Sequence, residues 1–311
     1  MSIVRSKADL LLILLLTVLI IQKQFHMNFS LRPGNAADAN ACGEICYKAF
    51  NDIAGKHNFP PDFPNPESAI GLMNYIFSDG GAWSVVAESE GQIAGSNFLW
   101  EDVSIAGVGP ITIDPNIQNI SLGRKLMESA LQRVEEQKFA GVRLVQAAYH
   151  NRSLSLYSKL GFDVREPLSQ MQGASPGTSF PDYNVRKAKE DDLDSCNQLC
   201  FRIHGHTREH ELGGAIKGGT ASVVEHEGKI TGYTTQVGFF GHTVAESNDG
   251  LKAIICAATN FSGPGFLLPS RNAEMLRWCL ANGLRIVQPM TLMTKGFYKE
   301  PAGAYLPSVL Y

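Results

Sequence analysis

The chain has 311 residues, of which 44% are hydrophobic and 18% charged, and its formal net charge is -3. That length suggests two domains, that composition excludes a disordered chain, and that charge offers no basic field to nucleic acid. The cysteines, Cys42, Cys46, Cys196, Cys200, Cys256 and Cys279, form no Cys-x-x-Cys pair, so neither a zinc framework nor a disulfide scaffold is expected and a reducing compartment fits.

In chain order, Leu10–Ile21 is apolar apart from one Thr, with Arg5 and Lys7 before it and Lys23 after it. As a helix it would span about 18 Å, against about 30 Å of hydrocarbon. No small-residue cleavage site follows. Three readings of residues 1–26 stand side by side: a start at Met27, a membrane anchor, and a cleaved signal. Membrane contact is expected only through Leu10–Ile21. The first half then reads helix, helix, hairpin, strand, helix, strand, helix, strand. Its strands are expected at Ser84–Glu90, Ile93–Asp102, Val108–Asp114 and Val142–Tyr149. "GKHNFPPDFPNPES", Gly55 to Ser68, joins the first two helices as a loop with four prolines. "SLGRKLMESALQRVEEQ" sets Leu122, Leu126, Ala130 and Val134 on one helix face. "NRSLSLYSKLGF" is a shorter helix closed by Gly161.

The second half repeats the first. "LRPGNAADANACGEICY" aligns with "VRKAKEDDLDSCNQLCF" without a gap, matching Arg32 to Arg186, Asp38 to Asp192, and Cys42 and Cys46 to Cys196 and Cys200. Each cysteine pair falls on one helix face, where buried thiols pack as small hydrophobes. "VAESEGQIAG" and "VVEHEGKITG" both read as hairpins with a Glu-Gly turn. The Gly- and Pro-rich "QGASPGTSFPDY" reads as the linker. It places the first unit at 27–173, the linker at 174–182 and the second unit at 183–311. "HGHTREH" presents His204, His206 and His210, but no carboxylate or Cys stands at a useful spacing. It reads as a polar loop, and no metal is expected.

At "DPNIQNISLGRKLM" a strand gives way to a helix. Unpaired N–H groups and the positive end of the helix dipole favour an anion there. Gly123 would let a ligand approach the backbone, the Ser121 hydroxyl can cap the helix, and Arg124 adds a cation. Tyr157 on the later helix reads from its neighbours alone as a core aromatic.

Together, "GPITIDPNIQNISLGRKLM" and "YHNRSLSLYSKLGFDV" resemble the acetyl-CoA signature of the GCN5-related N-acetyltransferase (GNAT) superfamily. Gln118, Gly123, Asn151, Leu156, Tyr157, Gly161 and Phe162 fall on the matching positions. Ser121 departs from the pattern by standing where the family has its first Gly. The resemblance implies an α+β fold (three-layer α/β/α) with two GNAT-like units, each a twisted mixed sheet flanked by helices. It implies an acetyl-CoA-dependent N-acetyltransferase, acting by direct attack of an amine in a ternary complex; a CoA-binding sensor without turnover is the alternative. By the same resemblance the pantetheine pairs with Ile111, Thr112 and Ile113, and the Ile113 amide polarises the thioester carbonyl. The pyrophosphate rests on Gln118, Asn119, Ile120, Ser121, Leu122, Gly123 and Arg124. Asn151 reaches the pantetheine, and Tyr157 is the general acid that protonates the leaving thiolate.

The general base is left open among strand-end residues, with Glu101 the candidate and Asp102 and His150 beside it. The acceptor is a small-molecule or peptide amine. Because acetyl-CoA is a cytosolic metabolite, a cytoplasmic location is expected. In the second half, Asn272, Trp278 and Gly283 stand opposite Asn151, Tyr157 and Gly161. Asn248-Asp249-Gly250 replaces the phosphate motif, so that half resembles the non-catalytic half of tandem GNAT proteins.

Overall fold

The structure, a computed structural model, describes residues 28–78, 82–117 and 121–310. Leu10–Ile21, Gln118, Asn119 and Ile120 lie outside the described residues. Among the described residues no helix is long and apolar enough to cross a membrane.

The first half opens with β1 (Ser30–Pro33), then α1 (Ala39–Lys56) and α2 (Pro66–Ser78). A hairpin of β2 (Ala82–Ser89) and β3 (Gln92–Glu101) follows, then β4 (Ile105–Val108) and β5 (Thr112–Ile113). Next come α3 (Leu122–Glu136), β6 (Gly141–Ala147), α4 (Asn151–Lys159) and β7 (Asp163–Gln172). Helices cover both faces of the sheet. Cys42, Cys46 and Met73 of α1 and α2 pack against Val86 and Phe98 on one face. Met127, Leu131 and Val134 of α3 pack with Val142 and Leu144 on the other.

The second half repeats this order with β8 (Tyr183–Lys187), α5 (Leu193–His204), α6 (Glu209–Lys217), β9 (Ser222–His226), β10 (Lys229–Thr234) and β11 (Thr243–Ala245). It continues through α7 (Asn248–Ala257), β12 (Phe266–Pro269), α8 (Ala273–Ala281), β13 (Arg285–Gly296) and β14 (Ala304–Leu306).

The repeat seen in the sequence is built from the same contacts in both halves. Arg32 donates to both oxygens of Asp38 at 2.8 Å and to Glu88 at 2.9 Å. Arg186 donates to both oxygens of Asp192 at 2.7 and 2.9 Å and to Glu225 at 2.8 Å. Each Asp also accepts a backbone N–H, from Asn35 or from Lys189. The arginine hydrogen bond holds both Asp carboxyls below their ordinary range. The hairpin turns match as well: Glu90 and Glu227 both have φ 51, the left-handed backbone of a tight two-residue turn. All four paired cysteines are fully buried, as their spacing implied.

The two halves are nevertheless interlocked. The large sheet runs β1-β2-β3-β4-β6-β13-β7-β12, with β5 returning to pair with β3. β13 of the second half lies between β6 and β7 of the first, antiparallel to both. In exchange, β7 lies between β13 and β12 of the second half. Each half therefore lends its longest late strand to the other. Both strands are buried on both faces over their central residues, the pattern of interior strands. The linker separates two sequence repeats, but the sheet runs through both. A smaller antiparallel sheet, β14-β11-β10-β9-β8, completes the second half.

Candidate active site

β4 and β6 form the parallel pair in the first half, and their pairing is short. It runs from Ile105↔Gly141 to Gly107↔Arg143 and then stops. Gly109 at φ 139 and Pro110, which has no N–H to donate, turn the chain away. It rejoins β3 as β5, with Ser96↔Thr112 and Gly95↔Ile113. The single strand expected over Val108–Asp114 is thus two short ones, with a wedge opening between β5 and β6. Asp114 N–H donates to Ala94 O at 3.0 Å. Alternation along the strand then turns the Ile113 N–H away from β3 and into the wedge. Ile111 and Ile113 side chains pack on the α3 side beside Leu122. Thr112 is buried on the opposite face, its hydroxyl 3.3 Å from Ser96 Oγ.

Helix α3 starts at the mouth of this wedge. Ser121 has φ 62 and ψ 4, and its hydroxyl makes no capping hydrogen bond to the first turn. The expected hydroxyl cap is therefore not formed, because the left-handed backbone turns Ser121 out of the extended N-cap geometry. Backbone bonding of the helix begins with Lys125 N–H to Ser121 O at 3.1 Å. The amides of Leu122, Gly123 and Arg124 thus occupy the turn where a helix supplies no acceptor of its own. No acidic residue stands in that turn. A Cβ on Gly123 would lie 3.0 Å from Ile113 Cδ1 and 3.6 Å from Leu156 Cδ2. Gly123 is therefore also what allows α3 to sit close to β5 and α4. Arg124 reaches Glu128 at 3.4 Å on the exposed face, a contact worth little in water.

α4 starts on the other side of the wedge, after β6, with Asn151 exposed in its first turn. Tyr157 is buried among Leu99, Val108 and Phe162. Burial pushes its phenol up to about 12, with a Ser153 hydrogen bond opposing, so it is protonated at neutral pH. Ser153 Oγ in turn lies 2.7 Å from His150 Nδ1. Burial, with Arg152 and His57 adding to it, lowers His150 to about 4. A base that weak takes up little of an ammonium proton.

Glu101 is not brought to this site. Its carboxylate is gripped by Arg133 Nε at 2.7 Å and Nη2 at 3.1 Å. It pairs with Ala106, near the start of β4, six positions along β3 from the Gly95↔Ile113 level, which is about 20 Å away. Asp102 is buried and receives the α6 amides of His210 and Glu211 at 3.5 and 3.3 Å, so it serves the second half's helix. Sequence order placed both on the correct side; the antiparallel direction of β3 puts them at the opposite end.

A carboxylate that lies beside the end of β6 is Asp62, from the Pro-rich α1–α2 loop. Gln288 of β13 donates to it at 3.3 Å and accepts from Tyr149 Oη at 3.0 Å, just past the end of β6. Phe59 of the same loop stacks on Tyr149 at 4.2 Å. Burial raises Asp62 to about 6, with the Gln288 hydrogen bond opposing. The loop was legible in the sequence; the placement of Asp62 was not, because its partner Gln288 comes from a strand of the other half.

Residues 54–175 match the acetyltransferase (GNAT) domain model. The chain carries a GNAT domain. Whole-chain similarity is to solved structures of low identity, which establishes the fold. A protein described as an acetyltransferase from Pyrococcus horikoshii aligns with TM-score 0.67 at 16% identity, over 91% of this chain and 92% of that one. A GCN5-related N-acetyltransferase from Sphaerobacter thermophilus aligns with TM-score 0.58 at 14%, over 88% and 96%. A tandem GNAT protein from the clavulanic acid biosynthesis pathway aligns with TM-score 0.53 at 13%, over 86% and 98%. No curated protein matches the chain at a significant level.

The second half departs from the first at several corresponding points. Ser247 caps α7 in the ordinary way, its hydroxyl accepting from Gly250 N–H at 3.2 Å. Asn248 and Asp249 open that helix, and Asn248 bonds Asn272 at 2.8 Å. Trp278 stands where the GNAT domain has Tyr157. Most telling is β14. It pairs with the edge of β11 and shares a core cluster with Phe266 and Leu268 of β12. The chain's own C-terminal strand thus lies where the first half has its wedge. The "HGHTREH" segment also differs from a polar loop, since His204 and His206 are buried and His210 alone is exposed. Among the described residues no group of three or more His, Cys, Asp or Glu is placed to hold a metal.

Proposed function

We propose that the first half transfers an acetyl group from acetyl-CoA to an amine by direct attack in a ternary complex. The observation that carries this is the wedge between β5 and β6, with the first-turn amides of α3 at its mouth, an inward-facing Ile113 N–H and a protonated Tyr157. Acetyl-CoA supplies an activated acyl group. The amides of Leu122, Gly123 and Arg124 suit a diphosphate, and Gln118, Asn119 and Ile120 belong to the same signature. The Ile113 N–H is oriented to stabilise negative charge on a carbonyl oxygen. Tyr157 Oη holds a proton for a leaving thiolate, and Asp62 is ionised above pH 6 to receive one from an ammonium. The Asp62 carboxylate and the aromatic ring of Tyr149 favour a cationic small-molecule or peptide amine. This co-substrate places the protein in the cytoplasm.

The test is thiol release from acetyl-CoA across a panel of primary amines, with product mass confirming acetylation. The CoA-binding sensor rests on Ser121, whose side chain stands where the family has glycine. CoA binding without thiol release for any amine would favour it and exclude transfer.

A further inference from the structure

Behind the wedge, where the two halves meet, Arg143 of β6 is only 5% exposed. Its Nε and Nη2 have no protein hydrogen-bond partner, nor has the buried hydroxyl of Tyr298. Both side chains line a small cavity of about 20 Å³, together with His204, Arg208 and His242 from the second half. No carboxylate lines it. The buried acids nearby are committed elsewhere: Glu211 holds Arg208 at 2.8 Å and His242 at 2.9 Å, and Glu166 holds Arg271 at 3.0 Å. Burial, with Arg208 adding to it, lowers Arg143 to about 10, which still leaves a full cation at neutral pH. His204, His206 and His242 are all shifted down, with burial the first cause.

A buried cation with unmade hydrogen bonds is costly unless a counter-charge arrives. A water molecule would satisfy the donors without balancing the charge. The volume admits a single small particle, since one water needs roughly 10–15 Å³ by the same measure. We infer that Arg143 and Tyr298 form a buried site for one halide-sized anion, chloride in ordinary media, which locks the two halves together at the β6–β13 seam. The site is separate from the acetyl-transfer wedge and does not depend on that activity.

The experiment is thermal unfolding of the full chain in chloride against gluconate at constant ionic strength. Gluconate is too large for the cavity. Chloride should raise the melting temperature saturably, by about 2–4 °C at ten times its dissociation constant, and bromide should do the same. Arg143→Met should abolish the difference between salts while matching or exceeding wild-type stability in gluconate. Should Arg143→Met not fold, Tyr298→Phe removes one donor and leaves the charge; it should move the chloride midpoint at least threefold higher. Equal melting in chloride and gluconate for the wild type would overturn the site. So would an unchanged chloride response in either variant. Bromide-soaked crystals should show an anomalous peak within hydrogen-bond distance of Arg143 Nε and Tyr298 Oη; density there without anomalous signal means water, and ends the proposal.

Discussion

α3 and α7 begin at equivalent points of the two repeats, and their first turns have opposite fates. At α7, Ser247 adopts φ -138 and ψ 161 and caps its own helix. Asp249 stands in that turn, and β14 closes the strand gap beside it. At α3, Ser121 adopts the left-handed backbone and makes no side-chain cap, and no acidic residue stands in the first turn. One half satisfies its helix start with its own serine, and at the other we propose that an external anion does so. Duplication supplies two copies of a fold, and the disposition of a few polar groups at one helix end sets the copies apart.

The largest effect expected from breaking that contrast is on CoA binding. Gly123→Asp brings a carboxylate to the first-turn amides and a Cβ to within 3.0 Å of Ile113. It should weaken CoA by about 100-fold or more, on the order of 3 kcal/mol, by titration calorimetry. Asp249→Asn should leave that affinity unchanged. Residual tight binding in Gly123→Asp would mean that the second half also takes CoA.

Next is the proton inventory of the wedge. Tyr157→Phe should lower turnover by about 100-fold while CoA affinity and melting temperature hold, since only a hydroxyl is lost. Trp278→Tyr should restore nothing, because β14 fills the space beside it. Unchanged turnover in Tyr157→Phe would return the ring to a packing role.

Asp62 yields a paired prediction. A base with a pKa of about 6 must be ionised to act, so kcat/KM should fall as pH drops through that value. Asp62→Asn should cut turnover by about 100-fold. The stability effect has the opposite sign. Its folded pKa is raised, so the contribution of the wild-type carboxyl to stability is full below its unfolded value near pH 4 and is lost as pH rises through about 6. Asp62→Asn should therefore match the wild type at pH 4 and exceed it at pH 8, by about 1–3 kcal/mol in urea unfolding. A uniform loss at both pH values would mean that the side chain is structural.

The smallest effect concerns the two serines themselves. Ser121→Gly removes left-handed strain and should stabilise the protein by about 0.5–1 kcal/mol, after the entropy cost of glycine. Ser247→Ala removes a working cap and should destabilise by about 1 kcal/mol. Changes of the same sign would erase the contrast between the helix starts.

Near-neighbour patterns made the repeat legible, because Arg32, Asp38, Arg186 and Asp192 act within a few residues of each other. Both cysteine faces, the hairpin turns and the two helices flanking the wedge were readable for the same reason, and the spacing of Gly123, Asn151 and Tyr157 pointed to the proposed site. What depended on distant chain was not readable. The direction of β3 sent Glu101 to Arg133, and Gln288 from β13 holds Asp62 beside the end of β6. The exchange of β7 and β13 left no local mark, since any interior strand is apolar on both faces whichever half it pairs with. The environment of Arg143 was hidden in the same way. One arginine in a strand is unremarkable until a second half closes over it and supplies no carboxylate. Backbone conformation is set within a few residues, and the sequence by itself determined that much; pairing, burial and charge balance are set by what folds against them, and only the tertiary structure decided those.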